Sequence, residues 1–301
     1  TITSLGLMPD SEIQAGENLV VRSNCTYCDP TKTRYEWKIK GTESVVSSED
    51  YYRVPVEHIS KEISVTATAF NAAGYEGRSI TRVYVLNRVK EIIGNDRAFA
   101  ALKFNGTVVT WGHPSSGGDS RLVTEKLTEV RSVYATDSAF AAIKADGTVI
   151  TWGDFAYGGD SSSVAAQLTQ VQSISATGRA FAAVKTDGSV VTWGGIYAGG
   201  NSSPVTDQLV NVQSITAANN AFAAIKIDGS VVTWGDSSDG GNSDSVADKL
   251  TQVRFISAAA NAFAAIKADG TVVTWGDASR GGDSSAVAAQ LTQVQSISAT
   301  S

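Results

Sequence analysis

The chain is short of the residues that build metal and nucleophilic sites, with two cysteines, two histidines and one methionine in 301 positions. Zinc held by cysteine and histidine needs four such ligands close together. His58 and His113 are the only imidazoles, and neither neighbours Cys25 or Cys28 in sequence. A surplus of positive charge is also missing. Twenty-four basic residues stand against 30 acidic ones for a net charge of −6, which leaves no basic stripe for a phosphate backbone and argues against nucleic acid as a partner. No run of apolar residues is long enough to cross a bilayer as a helix, so no membrane insertion is expected of this segment. No charged-then-apolar leader opens the chain. It begins at Thr1 rather than Met and is expected to be a mature or excised segment of a longer protein.

Cys25 and Cys28 form a C-x-x-C within Asn24 to Pro30. A redox motif of the thioredoxin type opens a helix, whereas this one runs into Asp29-Pro30 and a β-like stretch. A local disulfide in an oxidising compartment is the leading reading, with free thiols as the alternative. Twenty-eight glycines, together with abundant Ala, Ser, Thr and Val, fit an extracellular or cell-surface bacterial β-protein better than a cytosolic enzyme.

What the chain does have is a repeat. Trp111, Trp152, Trp193, Trp234 and Trp275 follow one another at 41-residue intervals, as do Phe99, Phe140, Phe181, Phe222 and Phe263. Self-similarity at this period marks solenoids and propellers and outranks any local reading. Within a unit, Asp146-Gly147, Asp187-Gly188, Asp228-Gly229 and Asp269-Gly270, with Asn105-Gly106 in the first, separate two β-branched runs. Such a dipeptide accepts the positive φ angles of a tight hairpin. Strand A (Val171 to Ser175 and its copies), strand B (Phe-Ala-Ala-Ile-Lys) and strand C (Thr-Val-Val-Thr-Trp) give three strands per unit. Ser163 to Leu168 reads equally as a helical turn or an extended crossover.

The succession Val-x-x-Ile, then Phe-Ala-Ala-Ile-Lys-x-Asp-Gly-x-Val-x-x-Trp-Gly, resembles the repeat of the regulator-of-chromosome-condensation superfamily of β-propellers. Within it the short blades are most similar to those of secreted bacterial inhibitors of β-lactamase. The resemblance covers residues 88–301 and implies a propeller, or an open propeller-like array, of three-stranded blades. Strand A occurs six times, from Arg88 to Ile93 through Val294 to Ser298, but B and C occur five times. A five-bladed ring, an open arc and a piece of a longer array all fit, whereas the relatives imply seven blades. Proteins normally protect unpaired strand edges, so closure or self-association is expected.

Residues 1–87 lack the period and read as strands at Asn18 to Arg22, Arg34 to Ile39, Tyr52 to Val56, Glu62 to Thr68 and Thr81 to Leu86. Their alternation predicts an immunoglobulin-like β-sandwich with Trp37 in its core and His58 at a surface or edge. The run from Tyr35 through Trp37 to Asn71 and Gly74 resembles the modules strung along bacterial surface adhesins. The fold class expected is therefore all-β, a sandwich followed by propeller-type repeats.

Catalysis needs a locally unique constellation, which near-identical repeats do not supply, so no enzyme and no cofactor is expected. Lys-x-Asp-Gly reads as a turn beside a solvated lysine. Gly158 to Ser161 and Gly281 to Ser284 carry too few carboxylates for a calcium site. The informative positions are those where the copies differ. After Trp-Gly the units read His113 to Ser116, Asp154 to Tyr157, Gly195 to Ala198, Asp236 to Asp239 and Asp277 to Arg280. Before Ala-Phe they read Asn95 to Arg97, Thr136 to Ser138, Thr177 to Arg179, Ala218 to Asn220 and Ala259 to Asn261. In an up-down-up blade both sets fall on one rim, opposite the Asp-Gly hairpin. Varied loops on a uniform frame are how repeat proteins present a binding surface, with drift at tolerant positions as the competing reading. Arg97, His113, Phe155, Tyr157, Arg179, Ile196, Tyr197, Asp239 and Arg280 are the candidate contacts, rich in the aromatic and arginine types that dominate interfaces. An adhesin segment that binds a host-surface protein or glycan is the leading expectation, and an enzyme inhibitor is the alternative.

Overall fold

A computed structural model describes residues 2–8, 18–42, 44–55, 58, 61–85 and 89–299. Every regular element among them is a strand or a short 3-10 helix. The chain divides into two compact units, one over residues 1–91 with 103–105, the other over 92–102 with 106–301. The expected boundary between residues 87 and 88 lies outside the described residues.

In the N-terminal unit, β1 (Ile2–Met8), β2 (Asn18–Cys25) and β5 (Tyr51–Arg53) form one sheet, in the order β1-β2-β5. β4 (Val45–Ser47), β3 (Arg34–Ile39), β6 (Glu62–Phe70) and β7 (Glu76–Val85) form a second, ordered β4-β3-β6-β7. β6 alternates half-buried and buried residues along its whole length, and Ile63, Val65, Ala67 and Ala69 point into one core. Leu19, Val21 and Tyr52 enter the same core from the first sheet, so the two sheets share it. Trp37 is fully buried there, and its indole N–H donates to the Glu49 carbonyl at 3.0 Å. β1 and β4 were not among the strands the alternation pointed to, and the expected strand ends Val56 and Leu86 lie outside the described residues. Cys25 and Cys28 face each other as a bonded pair with Cα atoms 6.0 Å apart.

From Val89 on, the chain forms five three-stranded antiparallel sheets, all in the second unit except for Val89 to Glu91 and Lys103. They are β8 (Val89–Gly94) to β10 (Val108–Gly112) around β9 (Ala98–Lys103), then β11 (Val130–Ala135), β12 (Ala139–Lys144) and β13 (Val149–Gly153). β14 (Val171–Ala176), β15 (Ala180–Lys185) and β16 (Val190–Gly194) follow, then β17 (Val212–Ala217), β18 (Ala221–Lys226) and β19 (Val231–Gly235). β20 (Val253–Ala258), β21 (Ala262–Lys267) and β22 (Val272–Gly276) complete the run. In each sheet the Phe-Ala-Ala strand is central.

In the interior sheets that strand is apolar on both sides because both of its faces are covered. In the third sheet, Phe181 and Ala183 point back at Ala139, Ala141 and Ile143 of the second. Ala180, Ala182 and Val184 point forward at Phe222, Ala224 and Trp234 of the fourth. Phe181 pairs in register with Trp193, and the rings stack 5.2 Å apart. The Trp193 indole N–H then reaches the preceding sheet and donates to the Gly158 carbonyl at 3.0 Å. A Cβ on Gly158 would stand 2.7 Å from the Phe181 ring, which leaves glycine as the residue that fits. The same contacts recur at Trp152, Trp234 and Trp275.

The Asp-Gly turn is wider than the sequence suggests. Lys144 N donates to Thr148 O at 2.9 Å across the loop Ala145 to Gly147, and within that loop only Gly147 takes a positive φ. Asp146 instead turns its carboxylate onto Thr148 N and Oγ1, at 2.9 and 2.6 Å. Those hydrogen bonds hold its carboxyl below the usual carboxylate range. The stretch that read either way, Ser163 to Leu168, falls in a 3-10 helix, Ser162–Gln167, and its cap. It ends at Leu168, which is buried between two sheets.

Candidate binding face

Both variable sets lie at one end of the sheets and are tied together there. Thr136 Oγ1 donates to Tyr157 O at 2.9 Å, Thr177 Oγ1 to Ala198 O at 3.0 Å, and Asn95 Nδ2 to Ser116 O at 2.8 Å. Each bond joins the A–B loop of a unit to the short 3-10 turn that follows its own strand C. That turn is closed locally: in the second unit Asp154 Oδ1 accepts from Ala156 N at 2.8 Å and Gly158 follows in the left-handed region.

The middle residues of the A–B loops form a ladder from sheet to sheet. Asp137 N donates to Gly178 O at 2.9 Å, Gly178 N to Asn219 O at 2.8 Å, and Asn219 N to Ala260 O at 2.9 Å. Loops from all five units surround one cavity of about 420 Å³, bordered by Asp96, Asp137, Gly178, Asn219 and Ala260. The five sheets are therefore arranged about a common axis, as blades.

Outside that axis lies a larger cavity of about 540 Å³, lined by Asp137, Arg179, Ile196, Tyr197, Asn219, Asn220 and Asp236 among others. It takes residues from both variable sets and from three successive blades. Tyr197 is 88% exposed, and Phe155 and Ile196 also stand in solvent. The Arg179 guanidinium sits 5.1 Å over the Tyr157 ring, which holds a cation at the mouth. Phe155 and Ile196 line an adjoining cavity of about 530 Å³. Burial and the nearby Asp96 raise the Asp137 carboxyl above its usual value, with Arg179 opposing. A carboxyl raised on folding contributes stability below the ordinary carboxylate range and loses it as pH rises through the raised value.

The structure brings Arg179, Ile196, Tyr197, Phe155 and Tyr157 together. Arg97 and His113, both exposed, belong to the first blade and Arg280 to the fifth, and none of them lines the central rim cavity. Arg280 Nη1 donates to Asn261 Oδ1 at 2.7 Å. Asp239 is not a contact residue. It is 4% exposed, and its carboxylate accepts from Asn220 Nδ2 at 2.9 Å and Asn261 Nδ2 at 2.5 Å, so it braces the rim from inside. A lone acid in a variable loop reads as exposed. Only Asn220 from its own unit and Asn261 from the next show why it is buried. Asp137, Asn219 and Asn220 were visible as variable positions, but their shared cavity depends on blade order.

The glycine-rich loops use their acids for the backbone: Asp160 Oδ1 accepts from Ser162 N at 2.8 Å. Among the described residues no group of three or more His, Cys, Asp or Glu side chains is placed to hold a metal ion. Among them, too, no helix is long and apolar enough to cross a membrane.

Repeated three-stranded blades about an axis define a propeller-like array. No family model matches the chain, and no curated protein matches it. Solved structures similar to it include human WBSCR16, 16% identical with a TM-score of 0.41, covering 81% of this chain and 89% of that one. Another is Prp20p from Saccharomyces cerevisiae, 13% identical with a TM-score of 0.43, covering 83% and 82%. Yeast RCC1 (Prp20) bound to Kap60 is 12% identical with a TM-score of 0.42, covering 70% and 68%. At these identities and scores the assignment rests on the five sheets and their repeated contacts.

Proposed function

We propose that the chain is a non-catalytic segment of a bacterial surface or secreted adhesin, which binds a host-surface protein or glycan through the variable rim of its propeller. The N-terminal unit, read as an immunoglobulin-like sandwich, spaces that rim from the cell. The observation that carries this reading is the rim cavity. Units that agree almost everywhere differ at the residues that gather there, and those residues include exposed Ile196 and Tyr197 beside Arg179. Rigid aromatics and a held guanidinium are the chemistry of interface anchors, on a frame whose rigidity lowers the entropic cost of binding.

Capture from host-cell surface extract tests it. The wild-type chain is expected to retain a defined protein or glycoconjugate, and the triple variant Phe155→Ala, Ile196→Ala, Tyr197→Ala is expected to lose it. An unchanged set of captured partners sinks the reading. Stoichiometric inhibition of a β-lactamase by the wild-type chain would replace it with an inhibitor role for the same rim.

A further inference from the structure

The third blade lacks two side chains that its neighbours carry, and both omissions border the rim cavity of about 540 Å³. In the middle of its A–B loop stands Gly178, between Asp137 of the second blade and Asn219 of the fourth. Asp137 Oδ2 lies 2.8 Å from where a Cβ on Gly178 would stand, so the carboxylate leans over this glycine. At the start of the turn after strand C stands Gly195. At that place Asp154, Asp236 and Asp277 close their own turns by accepting from Ala156 N, Ser238 N and Ser279 N. Gly195 supplies no such cap, and a Cβ on it would stand 3.0 Å from Arg179 Cβ. The third blade thus forgoes a stabilising cap where Arg179 enters the cavity.

Polar side chains around the cavity are also unengaged. Acids elsewhere in the repeats are held by the main chain, as Asp146, Asp160 and Asp236 each accept from the N–H two residues on. No hydrogen bond among the described residues engages the side chains of Asp137, Asn219 or Arg179. A carboxylate, an amide and a fork of guanidinium donors therefore border one space with their hydrogen-bonding capacity unused. Tyr197, 88% exposed, adds a flat aromatic face, and Arg179 is steadied 5.1 Å over the Tyr157 ring. All these groups belong to the second, third and fourth blades, each of which has a blade on either side, so the site does not depend on an end of the array.

Mixed donors and acceptors beside an aromatic ring match a sugar, whose hydroxyls both donate and accept and whose C–H face is apolar. The volume lies within the range of about 300–1,000 Å³ usual for small-ligand sites. An acidic sugar is disfavoured, because the lining sets two carboxylates, Asp137 and Asp236, against one guanidinium. A lysine from a partner protein would pair with Asp137 but meet Arg179 as a like charge.

We propose that this cavity binds a neutral saccharide at the exposed end of a glycan. Tyr197 stacks on the sugar ring, Asp137 accepts from its hydroxyls, and Asn219 Nδ2 and Arg179 donate to them. Gly178 sets the specificity, because a side chain there would displace the Asp137 carboxylate and fill the space of the sugar. The inference rests on the reading of the rim as a binding surface and narrows its partner to a glycan.

A printed panel of neutral and sialylated oligosaccharides tests it, followed by titration of the 301-residue chain with the retained glycan. Retention of neutral glycans is expected, with the side-chain amide signals of Asn219 and Asn220 moving in the NMR spectrum on binding. Asp137→Asn and Tyr197→Ala are each expected to weaken binding about tenfold or more. Gly178→Asn installs the side chain that the fourth blade carries at the same position and is expected to abolish binding while unfolding at the wild-type urea midpoint. Arg280→Ala, on the rim but outside the cavity, is expected to bind as wild type. A panel that retains nothing overturns the inference, as does retention confined to sialylated glycans or retention that Gly178→Asn leaves intact. An empty panel alongside capture of a host protein that depends on Phe155, Ile196 and Tyr197 removes the saccharide but keeps the rim as a binding surface. An empty panel with capture unchanged in the triple variant removes both.

Discussion

At the scale of single residues, the glycines after the 3-10 turns divide into two kinds that sequence alone does not separate. Gly199 and Gly281 occupy the same place in their units and both take a positive φ. A Cβ on Gly199 would lie 2.5 Å from the Phe222 ring, while one on Gly281 meets nothing within 4 Å. Gly199→Ala therefore combines overpacking of a filled interface with a left-handed alanine, for a loss of roughly 2–4 kcal/mol. Gly281→Ala carries only the conformational part, about 1 kcal/mol. Urea unfolding of the two variants side by side checks this, and equal losses would mean that the neighbouring ring does not set the cost. Asp239 teaches a related lesson. Its type and its loop both suggested exposure, but its surroundings come from residues 19 and 22 positions away, out of reach of a local reading.

At the scale of elements, the strands of the repeat were legible because two signals coincided, the 41-residue period and the turn residues between β-branched runs. The role of Phe-Ala-Ala-Ile was less legible. An unbroken apolar run shows that a strand is buried on both faces without saying against what, and here the answer is a blade on either side. Short 3-10 segments were the hardest to read, since Ser162–Gln167 has neither the length nor the periodicity of a helix and is fixed by Leu168 docking between sheets. Strand C supplies the element-scale prediction. Trp193→Phe removes the donor to the buried Gly158 carbonyl and is expected to cost about 1–3 kcal/mol in denaturant unfolding. Trp111→Phe, half in solvent, is expected to change stability by less than about 0.5 kcal/mol.

For the whole molecule, a repeat array is stable through its own units and the contacts between neighbours. Interior blades have two such contacts and the first repeat sheet has an uncovered apolar face, so opening should not be uniform. Hydrogen exchange is expected to protect β15 and β18 more strongly than β9, with unfolding that departs from a single two-state step. Equal protection across all five central strands would show that the array opens as one unit. The period revealed the number of sheets, but whether they surround an axis was beyond sequence, because it depends on the small rotation from each blade to the next.

The ladder around that axis has an evolutionary consequence. Its rungs are main-chain groups, and the residues that carry them are Asp96, Asp137, Gly178, Asn219 and Ala260, four different side chains at one equivalent position. Each rung is made by N–H and C=O groups that all five residues supply alike. Substitution there changes what the rim displays while the main-chain ladder beneath it is kept, so this face of the array can vary without its frame being rebuilt.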